Sequence, residues 1–340
     1  MEDDESIVAA EKLKKYFPIK RGFLETLVSR TDVFVKAVDG VSFRMQKGEI
    51  FGLVGESGSG KTTTGRLLLR LTDPTEGKVT YKGRDITGLS SRQMKPLRRE
   101  MQIIFQDPFE SLDPHMVVKD IVAVPLRIQK ATKSREELDE RVKQILSEVE
   151  LFPPEEFMLR FPHELSGGQR QRVAVARAFV LHPDFIVADE PVSMLDVSIR
   201  AEILALMLSL VEKRGASVLL VTHDLALARH VCNRVAVMYL GRIVELGNTE
   251  TIVANPLHPY TRALIAAVPV PDPSSKRLGE VISGEIPSPV APPPGCNFHT
   301  RCPYAHLRCT SEVPPLIEVE KDHWAACHLV DRPSQDSTPA

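Results

Sequence analysis

The segment Gly55-Glu56-Ser57-Gly58-Ser59-Gly60-Lys61-Thr62 constrains this chain more than any other. It matches G-x-x-x-x-G-K-[ST] and lies between a short β-branched apolar run, Ile50–Val54, and a helical pattern over 62–71. A phosphate cradle needs that strand–loop–helix context. The glycines let the backbone turn so that successive N–H groups, those of Ser57 and Ser59 included, point at phosphate oxygens. The helix then presents its positive end to the same anion. Lys61 adds a mobile charge at the β/γ-phosphates, and Thr62, with Thr63 beside it, offers a hydroxyl to Mg²⁺.

Such a loop needs a carboxylate from a second strand. Phe185-Ile186-Val187-Ala188-Asp189-Glu190 is an apolar run ending in two acids. Asp189 is expected to hold Mg²⁺ through water and Glu190 to polarise an attacking water, since phosphoryl transfer is mainly positioning plus charge stabilisation. Further apolar runs at 41–43, 101–106 and Ser217–Thr222, with a helical pattern at 200–213, predict an α/β fold with a mostly parallel, doubly covered sheet. From about 113 to 181 the pattern is mainly helical. There Leu138, Val142, Ile145, Leu146 and Val149 form a stripe expected to pack into the core.

Leu165-Ser166-Gly167-Gly168-Gln169, ahead of an apolar helix, is again a helix-end anion site. This pentapeptide resembles the signature motif of ATP-binding cassette (ABC) ATPases. The resemblance implies that Ser166, Gly167, Gly168 and Gln169 meet the γ-phosphate of an ATP held by the opposite subunit. It implies a Q-loop at Gln106, contacting Mg²⁺ and the γ-phosphate and linking to a transmembrane partner. Ser193-Met194-Leu195-Asp196 matches the D-loop, with Asp196 near bound nucleotide and Met194 where the family usually has alanine. His223 in Val221-Thr222-His223-Asp224 matches the switch histidine, a third catalytic candidate beside Glu190 and Gln106. Phe17, or its neighbour Tyr16, is expected to stack on adenine, with Phe17 favoured. The fold implied is a P-loop ABC-type nucleotide-binding domain: a RecA-like parallel-sheet core, an antiparallel β subdomain and a helical signature subdomain.

Three features resemble the oligopeptide/dipeptide importer branch, specifically its F-type ATPase subunit. They are an insertion at 18–35, the run Phe105-Gln106-Asp107-Pro108-Phe109-Glu110-Ser111-Leu112-Asp113-Pro114, and Asn255-Pro256-Leu257-His258-Pro259-Tyr260-Thr261-Arg262 followed by Pro-rich sequence and Gly295-Cys296. The implied partners are a second ABC ATPase subunit, two transmembrane permeases and an extracytoplasmic substrate-binding protein, with this subunit peripheral on the cytoplasmic face of the membrane. The cargo would be a peptide, nickel or a sugar. The alternatives are a soluble ABC ATPase of repair or translation and a redox-regulatory iron–sulfur ATPase. Only about 100 residues separate Lys61 from the signature, without the long coiled coil of repair-type members.

Composition narrows the rest. Lys plus Arg is 43 and Asp plus Glu is 45, so no basic excess favours nucleic acid as a partner. No apolar run approaches the ~18 residues of a membrane span, and the acidic start Met1-Glu2-Asp3-Asp4-Glu5 is unlike a signal peptide. The boundaries expected are a cassette over 1–268, a linker over 269–295 with eight prolines, a Cys-rich unit over 296–330 and a disordered tail over 331–340. Cys296, Cys302, Cys309 and Cys327 are spaced C-x₅-C-x₆-C-x₁₇-C, without the close pairs of structural zinc sites. Four single thiolates suit a [4Fe–4S] cluster, with Zn²⁺ as the alternative, and the branch resemblance points the same way. A unit of about 40 residues is expected to need such a staple. His299, His306, His323 and His328 are read as solvated surface, and Cys232 as a buried structural thiol.

Overall fold

A computed structural model describes residues 6–19, 33–267 and 284–330. Most of the insertion at 18–35, the first part of the Pro-rich linker and the whole 331–340 tail lie outside the described residues. In chain order the strands are β1 (Ser6–Pro18), β2 (Phe34–Gln46), β3 (Ile50–Val54), β4 (Glu76–Tyr81), β5 (Arg84–Asp85), β6 (Met101–Ile104), β7 (Phe185–Asp189), β8 (Ser217–Thr222), β9 (Arg234–Tyr239), β10 (Arg242–Asn248), β11 (Ile317–Glu320) and β12 (His323–Ala325). Among the described residues they form two sheets. One has the order β2-β1-β4-β5 and is antiparallel; the other has the order β11-β12-β10-β9-β3-β8-β7-β6.

Strands β9, β3, β8, β7 and β6 pair in parallel. Their apolar residues are buried throughout β7 and β8, as a sheet covered on both faces requires. Register decides where the chemistry sits. Val54 pairs with Thr222, and Asp189 with Val221, so β3, β7 and β8 end level with one another. The loops that follow, carrying the glycine-rich turn, Glu190 and His223, all emerge from this carboxyl edge.

The Lys61–Leu68 helix runs on from the first of those loops and buries Leu67 and Leu68 against core shared by both sheets. Full burial of such a side chain contributes about 2 kcal/mol. The helical region contains Val118–Gln129, Arg135–Glu148, Pro154–Leu159 and Gly167–Phe179. Ser134 caps Arg135–Glu148 by accepting from the Glu137 N–H, and Leu138, Val142, Ile145 and Leu146 face the core as the stripe predicts. The architecture is the ABC fold expected: parallel core, antiparallel β subdomain and helical signature subdomain.

The C-terminal extension departs from expectation. Strand β12 pairs antiparallel with β10, Glu245 opposite Ala325 and Gly247 opposite His323, and β11 pairs with β12. Phe298 packs into an aromatic cluster with Tyr239 and Tyr260, with ring centroids 5.2 and 5.4 Å away. His323 is fully buried, with Nε2 2.8 Å from the Glu245 carboxylate. His328 is buried as well, so reading these two histidines as surface is corrected. The expectation of a [4Fe–4S] cluster on Cys296, Cys302, Cys309 and Cys327, and its Zn²⁺ alternative, is also corrected. Among the described residues no group of three or more His, Cys, Asp or Glu side chains is placed to hold a metal ion. Cys309 and Cys327 are buried, and Cys296 and Cys302 pack against the aromatic cluster. Burial, with the neighbouring cysteines adding to it, pushes the Cys296 and Cys327 thiols up to about 11. The extension borrows the cassette's sheet and core, which removes the argument for a metal staple. Cys232 is buried, its thiol raised to about 12 by desolvation.

Candidate active site

The loop Gly55–Gly60 turns between β3 and the Lys61–Leu68 helix because three glycines, Gly55, Gly58 and Gly60, take conformations that side chains resist. Gly60, the helix N-cap, has φ +102°, and a Cβ there would lie 2.2 Å from the Ala37 carbonyl oxygen. Gly55 has φ +155°, and its Cβ would lie 2.2 Å from the Met238 oxygen. The loop is therefore wedged against β2 and β9. Lys61 is buried, and its ammonium donates to the Gly55 and Glu56 carbonyls at 2.8 and 2.9 Å. Burial lowers its pKa, while Glu190, Asp189 and Glu56 oppose that shift.

An open cavity of about 370 Å³ lies over this loop. Ser57, Gly58, Gly60, Lys61, Thr62 and Thr63 form its floor, Gln106 and Glu190 one wall, and Phe17 with Pro289 another side. Phe17 is 39% exposed there. Tyr16 is absent from the lining; its hydroxyl donates to Asp39 at 2.5 Å, on the far side of the alternating strand. Ser59 is buried beneath the loop, its carbonyl accepting from the Gly241 N–H at 2.9 Å.

Three residues singled out in the sequence meet at the carboxyl edge. Gln106 Nε2 donates to Glu190 Oε2 at 3.3 Å, and His223 Nδ1 lies 3.2 Å from the same oxygen. Glu190 holds φ +44°, a strained value for a non-glycine residue that its N–H to Val221 carbonyl bond at 2.9 Å helps fix. Beside it Thr62 Oγ1 donates to Asp189 Oδ1 at 2.9 Å. Asp189 is only 3% exposed, and desolvation raises its pKa. A buried carboxylate hydrogen-bonded to a hydroxyl is a hard-oxygen donor set that fits Mg²⁺.

The signature residues sit elsewhere. Ser166 caps the Gly167–Phe179 helix, with Gln169 N–H donating to Ser166 Oγ at 3.3 Å and Ser166 N–H donating to Gln169 Oε1 at 3.0 Å. Gly168 lies so near Ile199 that a Cβ would stand 2.9 Å from its Cγ2. Neither Ser166–Gln169 nor the exposed Asp196 lines the cavity over the loop. Met194, beside Asp196, is 58% exposed. Two residues that sequence reasoning missed are Arg200, which donates to the Leu195 and Ser193 carbonyls at 2.7 and 3.2 Å and holds the D-loop, and Pro289. Neither has a local motif to mark it.

Comparison with known proteins agrees with this geometry. Residues 38–193 match the ABC transporter family model, and residues 244–309 match the oligopeptide/dipeptide transporter C-terminal region. The oligopeptide transport ATP-binding protein AppF of Bacillus subtilis (strain 168) is 47% identical over 330 residues, covering 96% of this chain and 98% of AppF. A putative peptide import ATP-binding protein of Brucella ovis is 50% identical over 293 residues, 86% of this chain and 92% of that protein. Among solved structures, the dimeric post-hydrolysis state of the cassette MJ0796 bound to ADP and Pi is similar with a TM-score of 0.62 and 30% identity, over 71% of this chain and 98% of that one. CbiO1 from Clostridium perfringens, part of the transporter complex cbiONQ, is similar with a TM-score of 0.61 and 25% identity, over 74% and 92%. With the nucleotide loop, the strand-end acids and the C-terminal region all matched to one lineage, the chain belongs to the ABC transporter family of ATPases and carries the C-terminal region of its oligopeptide/dipeptide branch.

Proposed function

We propose that this chain is the ATP-hydrolysing subunit of an importer for di- or oligopeptides, peripheral on the cytoplasmic face of the membrane. The observation that carries the reading is the cavity in which the glycine-rich loop, Lys61, Gln106 and Glu190 converge. In it the loop amides and Lys61 bind the β- and γ-phosphates, and Phe17 stacks on the base. Thr62, Asp189 and Gln106 would hold Mg²⁺, which when bound neutralises charge developing on the β/γ-oxygens. Glu190 orients and polarises the attacking water, and His223, in contact with its carboxylate, reaches toward the γ-phosphate. Ser166, Gly167 and Gly168 lie off this cavity, so they serve an ATP bound by a second cassette; the MJ0796 relative was solved as a dimer.

The peptide cargo is supported by the C-terminal region and by relatives described as peptide or oligopeptide transport ATP-binding proteins. Two permeases, a second ATPase subunit and an extracytoplasmic binding protein complete the assembly. In this reading the chain attaches through such permeases; no helix among the described residues is long and apolar enough to cross a membrane. The test is uptake of a radiolabelled tripeptide by cells whose chromosomal copy carries Glu190→Gln. Loss of uptake is expected. Undiminished tripeptide uptake, with nickel or sugar uptake lost instead, overturns the peptide assignment.

A further inference from the structure

The C-terminal extension reaches the nucleotide loop at one residue the phosphate motif leaves unspecified, Glu56. Arg301 grips its carboxylate with two hydrogen bonds, Nη1 to Oε2 at 2.8 Å and Nη2 to Oε1 at 3.2 Å. Tyr260 takes the Glu56 backbone N–H on its hydroxyl at 2.9 Å. The Glu56 carbonyl, in turn, accepts from Lys61 Nζ. Every polar group of Glu56 is thus held, two of them by residues far along the chain. The arginine is 9% exposed and the tyrosine fully buried, both against Tyr239. Asn297 adds a second tie: its amide donates to the Leu240 carbonyl at 3.1 Å, and the next residue, Gly241, donates to the Ser59 carbonyl. Pro289 reaches the site on its other side. It lines the cavity near Phe17, and its carbonyl accepts from the Lys36 N–H of β2 at 3.1 Å.

We propose that the C-terminal extension is a working part of the nucleotide site: its Arg301 is a positioning residue that holds the Glu56 carboxylate and neutralises its charge beside the triphosphate, while Tyr260 of the cassette fixes the Glu56 backbone. The proposal rests on the ATP-site reading above. A lone carboxylate at this loop would repel an incoming polyphosphate and compete for Lys61. Paired two-on-two with a guanidinium, it fixes the loop geometry and leaves the ammonium to the ligand.

The experiment uses the full chain, mant-ATP titration and steady-state ATPase assays. Arg301→Met should weaken mant-ATP binding on the order of tenfold and raise the KM for ATP in parallel, with kcat within about twofold. Arg301→Lys should lose less. Glu56→Gln added to Arg301→Met should recover most of the affinity, because the repelling charge is gone; a role confined to folding of the extension predicts no such recovery. If Arg301→Met fails to fold, Arg301→Lys and Tyr260→Phe, which removes only the hydroxyl, test the same point through weakened mant-ATP binding. Arg301→Met binding as tightly as wild type, or failing to recover with Glu56→Gln, overturns the proposal while leaving the ATP site standing. Wild-type protein that binds no mant-ATP overturns both.

Discussion

Glu190 and His223 leave neighbouring parallel strands and meet with 3.2 Å between the Glu190 carboxylate and the His223 Nδ1. The carboxylate also accepts from Gln106, so one oxygen is shared by Gln106 and His223. Replacing Glu190 with Gln keeps the shape and removes the basic oxygen. ATP binding should persist while turnover drops by about 10³-fold or more, and ATP should trap a cassette dimer visible by size-exclusion chromatography. To account for turnover by a partner ATPase, the assay compares variants altered in one and in both subunits. Wild-type hydrolysis by the doubly altered complex would refute the assigned role.

Adjacent aromatic residues on β1 divide two jobs. Phe17→Ala removes the ring at the cavity and should weaken mant-ATP binding by several-fold, since an aromatic stack contributes about 1 kcal/mol. Tyr16→Phe removes the hydrogen bond to Asp39, whose other partner is Arg242 at 2.6 Å. It should lower stability by about 1 kcal/mol and leave nucleotide affinity unchanged. Chemical denaturation and nucleotide titration on both variants separate the two; the reverse pattern would reassign the base-stacking residue.

Acid should loosen the junction with the extension through His258. Its ring is buried, and Nδ1 accepts the Tyr260 N–H at 3.0 Å. Burial pushes its pKa down to about 4, with the Glu245 charge pulling upward and Arg262 downward. An unfolded histidine titrates near ~6.5, so between that value and 4 the unfolded chain binds a proton that the folded chain refuses. The stability this site contributes is therefore complete above ~6.5 and declines as pH falls toward 4, by a few kcal/mol at most. His258→Asn keeps a cap acceptor without the titration. Its Tm should fall less steeply than wild type between pH 6.5 and 4; parallel curves would count against His258 as the source.

The run after Gln106 is expected to touch a permease. The Asp107 side chain caps Pro108–Ser111, Phe109 is 58% exposed and Arg170 stacks on its ring 4.1 Å from the centroid. Cysteine introduced at Glu110 or Met116 should cross-link to a permease loop in the assembled complex. Products formed only with the second ATPase would place this face at the cassette seam instead.

Legibility followed locality. The phosphate loop, Asp189 and Glu190, the helix that follows Ser166 and the parallel core were readable because the chemistry or the burial pattern of each is written in consecutive residues. The strands β11 and β12 were not: Ile-Glu-Val-Glu and His-Trp-Ala are too short to show a period, and what anchors β12, which β11 then flanks, is β10, some 80 positions earlier in the chain (His323 bonds Glu245 across 78). The Arg301–Glu56 pair spans 245 positions and has no motif at either end. The four cysteines misled for the same reason. Their nearness in sequence was read as a ligand set because the segment looked too small for a core, whereas Phe298, Tyr239 and Tyr260 supply one jointly with the cassette.

The order of the large sheet decides which backbone is left at its border. Without β12, the β10 backbone that pairs with Ala325 and His323 would be an open edge, ready to recruit a strand from another molecule, with the Glu245 carboxylate stripped of its histidine. The strand that ends the sheet instead is β11, four residues long, led in by Pro314 and Pro315 and carrying exposed Glu318 and Glu320. Prolines and like charges make a poor template for pairing. A cassette trimmed at residue 268 would keep its nucleotide loop and its signature helix, yet it would exchange a guarded border for a sticky one and self-associate.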